Sequence, residues 1–415
     1  RFIEINRKLL DIFGYRREDF VGRHYLEVEV LGPEDEERAA AATIRENRMR
    51  ADVRFLGSDL LEGRAPGTRG DRLARAYVAS RFEAIGLEPG VPGGAWEQPF
   101  DLVGIVSSPP ETVRVSRGDA TEELRFLSDY VAVSGVQAEG AQLDAAEIVF
   151  VGFAIVAPEQ GWDDFKGKDL RGRVLLFLNN EPEADPQRFA GKRRLYYGRW
   201  DYKFEMAAKL GAAGALVLHT DASAGYGWKV IQSSWTGEQL SLPALPGEPV
   251  VPVKGWLTED AARRVARLGG HDLGALRAAA ERRDFRPVPL GVRLSLALES
   301  TISSRTSANV VGRLPGRDPA LSREAVLYTA HHDHLGAKPG GSDRAVVYNG
   351  ALDNASGVAA LLAVAEAFAA LPERPRRSIL FATVGAEEHG LLGSGHLAQH
   401  LPVPAGRVAA NVNID

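Results

Sequence analysis

The sequence predicts an α/β fold: a mostly parallel mixed sheet flanked by helices, with a β-rich segment inserted into it. Three observations predict it. From Asn309 onward, apolar strand-length runs alternate with helical stretches, the pattern of a parallel sheet covered on both faces. Between about Phe100 and Leu298 the texture changes to short β-rich runs divided by Gly/Pro turns. At 415 residues, 45% hydrophobic and 25% charged, the chain is long enough for two or three domains, each with its own core.

The elements follow in chain order. Residues 1–32 hold a short helical face (Leu9, Leu10, Phe13) that stops at Gly14. The acidic run Glu34–Glu37 suits a helix start, and that helix is expected to run toward Leu56. LEGRAPGTRG (61–70) is a Gly/Pro loop. A second amphipathic helix turns Leu73, Tyr77, Val78, Phe82 and Ile85 inward and stops at Gly86. In the insertion, EIVFVGFAIV (147–156), RVLLFL (173–178) and ALVLHT (215–220) are expected strands. One helix, KFEMAAKLGAAG (203–214), interrupts them. The aromatic stretch YYGRWDYKF (196–204) reads as core and turn packing. Beyond it come the strands AVLYTA (325–330), SILFATV (378–384) and VAANVNI (408–414). The helix NASGVAALLAVAEAFAAL (354–371) carries Val358, Leu361, Leu362, Ala365 and Phe368 on one face.

Composition removes several functions. Lys plus Arg is 50 against 55 for Asp plus Glu, a net charge of −5, unlike a basic nucleic-acid binder. Cysteine is absent, which excludes disulfides, Cys–zinc sites and thiol nucleophiles. The longest apolar run, Val358 to Leu371, carries Glu366 and reads as too short for a membrane span. The start, RFIEINRKLL, has neither an initiator Met nor the apolar core of a signal peptide, so the sequence reads as a fragment.

The chemistry gathers after residue 330, where six of the nine histidines fall. Each candidate motif follows a strand or opens a helix, the usual place for ligands in such sheets. AHHDHLG (330–336) puts His331 and Asp333 two apart, so on an extended backbone Asp333 would support the His331 imidazole. Taken alone, it reads equally as ordinary hydrogen-bonded histidines. NGALDNASG (349–357) places Asp353 at a helix entrance, where an N-cap is the plainer explanation. Its small polar residues also suit a tight turn around an ion. AEEHGLLGS (386–394) holds Glu387 and Glu388 beside a strand end, where adjacent carboxylates need a cation or water. VNID (412–415) ends a strand with Asp415. One His with three carboxylates suits a divalent ion, zinc first; two ions sharing a carboxylate would make a hydrolytic site.

In this order, the four motifs AHHDHLG, NGALDNASG, AEEHGLLGS and NVNID resemble those of the M28 zinc peptidases. LEGRAPGTRG and AIGLEPG are similar to the usual start of such enzymes. VGFAIVAPEQGWDDFKGKDLRGRV and GRWDYKFEMAAKLGAAGALVLH look like the protease-associated (PA) domain that many members carry as an insertion. NRKLLDIFGYRREDFVGRHYLEV looks like a piece of a PAS sensor domain. The resemblance covers about residues 43 to 415. It implies a zinc exopeptidase-type catalytic domain over 41–130 and 296–415, an inserted PA domain over 131–295 and a PAS-like fragment over 1–32. It implies two zinc ions: His331 and Asp415 on one, Glu388 on the other, Asp353 bridging. Glu387 would be the general base and Asp333 would orient His331. The family's second zinc also takes a His downstream of the NVNID strand. The chain stops at Asp415, so that ligand is expected to be missing through C-terminal truncation, with weak zinc occupancy and little activity.

The function implied is an aminopeptidase acting on peptides. A carboxypeptidase, a glutaminyl cyclase or an inactive peptidase-like binding protein are the alternatives; intact Glu387, Glu388 and Asp353 argue against the last. The resemblance suggests a secreted or periplasmic protein, and leaves the oligomeric state open.

Overall fold

A computed structural model describes residues 41–415, apart from Pro186, Ala190, 192–194 and 339–344. The PAS-like fragment and the acidic helix start at Glu34 lie outside the described residues. The chain forms two compact units, one combining the residues up to Leu102 with Arg305–Asp415, the other Val103–Ser304.

In the first unit, helix α1 (Glu46–Leu56) follows an irregular stretch at Ile44 and Arg45. The described part of the helix expected from residue 34 is therefore interrupted there. Helix α2 spans Arg69–Ile85; Thr68 caps it by accepting the Asp71 N–H, and Gly86 ends it at φ 87°, a left-handed backbone that glycine adopts without strain. Strand β1 (Val288–Leu314) contributes its last ten residues to this unit. Then come β2 (Ala325–His331), α3 (Ser356–Ala369), β3 (Ser378–Val384), α4 (Leu392–Gln399) and β4 (Val408–Asn413). The order across the sheet is β4–β2–β3–β1. β2 runs parallel to both β3 and β4, and β1 is antiparallel to β3.

Successive strand side chains alternate between faces. Val310, Val326, Ile379 and Phe381 pack with Leu56, Val78, Phe82, Val358, Leu361 and Phe368 from α1, α2 and α3. Val311, Leu327, Leu380 and Ala382 face the other way, with Leu397 of α4. β2 and β3 are covered on both sides, which is why their sequences read as unbroken apolar runs. Burying each such Leu, Val or Phe contributes about 1.5–3 kcal/mol. Ala351–Ala369 is long and apolar enough, by composition, to cross a membrane. Its inward face, Val358, Leu361, Leu362 and Ala365, has no exposure and packs against the sheet.

In the second unit, Gly140–Phe150, Val174–Leu178, Gly214–His219 and Val253–Thr258 form a parallel run, with Tyr130–Ser134 antiparallel at its edge. Two expectations fail here. The stretch 147–156 is not one strand, because Gly152 and Ala154 turn it in left-handed conformations. The helix at Trp200–Lys209 is joined by Glu259–Leu268 and Leu273–Ala280. Their N-caps are Thr258 and Asp272, which accept the Ala261 and Ala275 N–H groups. In the aromatic stretch, Tyr202 and Phe204 are buried and Tyr196 is exposed.

Candidate metal centre

Parallel pairing puts the carboxyl ends of β2, β3 and β4 on one side of the sheet, and the four motifs occupy that side. His331 is the last residue of β2 and is 2% exposed. Its Nε2 lies 3.0 Å from Asp353 Oδ1, 3.2 Å from Asp415 Oδ1 and 4.0 Å from Glu387 Oε2. Burial opposes charging of this imidazole. The carboxylates of Asp333, Glu387, Asp415 and Asp353 outweigh it, so its pKa is raised.

Asp353 comes from the turn Ala351–Ala355, which opens α3. Gly350 enters that turn at φ 55°, where a Cβ would sit 2.4 Å from the Asp353 carbonyl oxygen and 2.6 Å from His334. Only glycine fits there. The next residue, Asn354, is fully buried. Its Oδ1 accepts the Gly357 N–H at 2.8 Å, and its Nδ2 donates to the Ile414 carbonyl at 2.9 Å. Asn354, not Asp353, therefore satisfies the helix entrance. It also ties the Asp353 turn to the chain next to Asp415. Ile414 N–H donates to Thr329 O at 2.8 Å, which anchors that end beside β2.

Asp333 is fully buried, and its place departs from the sequence reading. Strand β2 ends at His331, two residues before Asp333. The His331 Nδ1 lies 3.3 Å from the Asp333 backbone oxygen but 3.8 Å from its carboxylate. The carboxylate instead accepts the Glu387 N–H at 3.0 Å and the Glu388 N–H at 3.4 Å. It thus sets the turn that presents the two glutamates. Burial raises its pKa, and Glu388 adds to the rise against His332, the Glu387 N–H and His331.

The two glutamates face different charges. Burial pushes the Glu387 carboxyl up to about 7; His331 opposes this, and Asp333, Glu388 and Asp415 reinforce it. Glu388 accepts a hydrogen bond from His334 Nδ1. Burial works against ionisation there too, yet His334, His331 and His389 hold its pKa below the ordinary value. The two adjacent carboxyls thus sit in opposite electrostatic surroundings.

The donors fall into two groups, His331 with Asp353 and Asp415, and His334 with Asp353 and Glu388; within each group the ligand atoms lie within 4.8 Å of one another. Asp353 is common to both. An imidazole and two carboxylates per group, with one carboxylate shared, fit two borderline-hard divalent ions. His334 was missed in the sequence. Three histidines within four residues gave no means of telling which one turned inward. The signal available was its place after the strand end.

Behind the centre, His332 is 1% exposed and its Nε2 lies 3.2 Å from Asp71 Oδ1. Asp71 is fully buried and also accepts from Arg75 Nε at 3.2 Å, Ser307 Oγ at 3.0 Å and Gly67 N–H at 2.9 Å.

Residues 309–415 match the family described as Peptidase family M28. The chain is 33% identical over 133 residues to the mouse protein Aminopeptidase NAALADL1, covering 31% of this chain and 16% of that one. It is 28% identical over 150 residues to Aminopeptidase YwaD of Bacillus subtilis, covering 36% and 30%. The chain thus spans under a third of these relatives. Among solved structures, it is similar to an aminopeptidase from Aneurinibacillus sp. strain AM-1, at 19% identity and a TM-score of 0.47, over 91% of this chain and 71% of that one. A zinc aminopeptidase from Bacillus subtilis aligns at 17% identity and a TM-score of 0.39, over 89% and 68%.

Proposed function

We propose that the chain carries the catalytic centre of a two-zinc exopeptidase that removes residues from the free amino end of peptides. The observation that carries this reading is the pair of three-donor groups meeting at Asp353. The family match over 309–415 and the two aminopeptidase relatives support the reaction class. Residues 131–295, which lie within the Val103–Ser304 unit, are read as the protease-associated insertion.

His331, Asp353 and Asp415 would hold one zinc, and His334, Asp353 and Glu388 the other. Bound there, zinc supplies Lewis-acid polarisation of the scissile carbonyl and a water acidic enough to ionise near neutrality. Glu387 takes the proton of the attacking water and returns it to the leaving amine. Asp333 keeps Glu387 and Glu388 diverging by holding both of their N–H groups.

The test is hydrolysis of aminoacyl-nitroanilides with added zinc. With His334 in place of the downstream His that the sequence reading expected to be missing, zinc-dependent release is expected, lowered about 10²–10⁴-fold in Glu387→Gln with zinc content unchanged. Cleavage only of peptides with a free carboxyl end, or an unaffected Glu387→Gln, would contradict the reading.

A further inference from the structure

Arg64 lies about 270 residues before the motifs of the metal centre, in the loop LEGRAPGTRG, yet it touches the backbone on both sides of that centre. It is 1% exposed. Its Nε donates to the His332 carbonyl at 2.7 Å. One terminal nitrogen donates to the Asn349 carbonyl at 2.7 Å and also to the Leu56 carbonyl; the other donates to Gly350 at 2.9 Å. The Arg64 carbonyl in turn accepts the His334 N–H at 3.3 Å. Gly63, next to it, accepts the Gly336 N–H at 2.9 Å. A Cβ at Gly63 would come within 2.3 Å of the Gly336 carbonyl oxygen, so the two loops meet backbone to backbone.

We propose that Arg64 is a positioning residue for the metal centre. Its guanidinium joins the loop after β2, which carries His334, to the turn before α3, which carries Asp353, so that both imidazoles face the same carboxylate. The inference rests on the two-zinc reading and names a residue that acts through the ligands without being one. Among the described residues no carboxylate competes for the guanidinium's hydrogen bonds; all four go to main-chain carbonyls. That is how a side chain fixes the path of two loops. A planar fork can reach several carbonyls at fixed angles, whereas an ammonium keeps charge but not that geometry. Its positive charge also sits among groups that would otherwise repel one another, Asp333, Asp353 and Glu388.

The experiment uses the full chain and its Arg64→Lys and Arg64→Ala variants, loaded with Zn2+ and, separately, Co2+. Zinc affinity is read by competition with a chromophoric chelator, cobalt ligand geometry by visible absorption, and folding by thermal unfolding in EDTA. Removing partners that orient metal ligands typically costs about 10–100-fold in metal affinity. That loss is expected in both variants, with a changed cobalt spectrum, while each remains folded in EDTA at low temperature. Methylguanidinium is expected to restore part of the affinity of Arg64→Ala and none of that of Arg64→Lys. Unchanged zinc affinity and cobalt spectrum, with only a lower melting temperature, would overturn the proposal. So would loss of the folded state in both variants, which assigns Arg64 to the fold. A wild-type chain that takes up no Co2+ overturns the two-metal reading itself.

Discussion

Replacing Asp71 by Asn removes a buried charge while keeping the shape of the side chain. The carboxylate has no exposure and accepts four hydrogen bonds, from His332, Arg75, Ser307 and the Gly67 N–H. An amide offers one oxygen to these donors and turns its NH2 toward the rest. At least two hydrogen bonds to a charged group are lost, each worth roughly 1.5–3 kcal/mol. Breaking a buried pair costs about 3–5 kcal/mol in general, which agrees. The expected melting shift for a unit of this size is on the order of 10 °C. Burial opposes ionisation of Asp71, but His332, Arg75 and the Gly67 N–H outweigh it and hold the pKa below the usual 3.8. A folded-state pKa below the unfolded one stabilises above the unfolded pKa, and that stability is lost as pH falls through the folded value. The deficit of Asp71→Asn should therefore be full at pH 7 and shrink below about pH 4. Urea unfolding at both pH values, followed by tryptophan fluorescence, measures it. A deficit under about 1 kcal/mol at pH 7, or one that grows in acid, would refute the reasoning.

Other substitutions separate chemistry from architecture. Glu388→Gln should lower zinc content measured by atomic absorption, whereas Glu387→Gln should keep it and lose about 3–5 kcal/mol of transition-state stabilisation, read as kcat/KM. Gly350→Ala should weaken zinc binding and stability together, because its Cβ meets the Asp353 carbonyl at 2.4 Å and Arg64 at 2.6 Å; unchanged zinc affinity would show that the turn yields freely. Lys203 in the second unit is fully buried and donates to the Asn180 carbonyl at 2.8 Å and to Phe153. Lys203→Met should leave the Asn180 and Phe153 carbonyls without their donor, each unmet bond costing about 1–3 kcal/mol, measurable as a lower urea midpoint with zinc binding intact.

Much of the first unit was legible because its signals are local. Strands β2 and β3 are apolar throughout since both of their faces are covered, and α3 announces itself through Val358, Leu361, Leu362 and Phe368. His331, Asp353, Glu387, Glu388 and Asp415 stood out as polar groups at the ends of such runs. What escaped notice depends on tertiary contacts. Arg64 and Asp71 act on residues more than 250 positions away, and no spacing rule links them to His332. His334 could not be told from its neighbours until the backbone turned after His331. Asp333 was read as a partner of the His331 ring; its bonds to the Glu387 and Glu388 N–H groups could not be read from spacing. In the second unit, Gly152 and Ala154 break a run that reads as one strand, and the helix after Thr258 went unread although Ala261, Ala262, Val265 and Ala266 line one buried face.

If Asp353 serves two metal ions, one on the His331 side and one on the His334 side, both positions should fill with zinc. Anomalous X-ray diffraction from zinc-loaded crystals, recorded on both sides of the zinc edge, tests it most directly. The account predicts two peaks flanking the Asp353 carboxylate, one contacting His331 and Asp415, the other His334 and Glu388. A single peak, or a second peak that leaves His334 untouched, would contradict it.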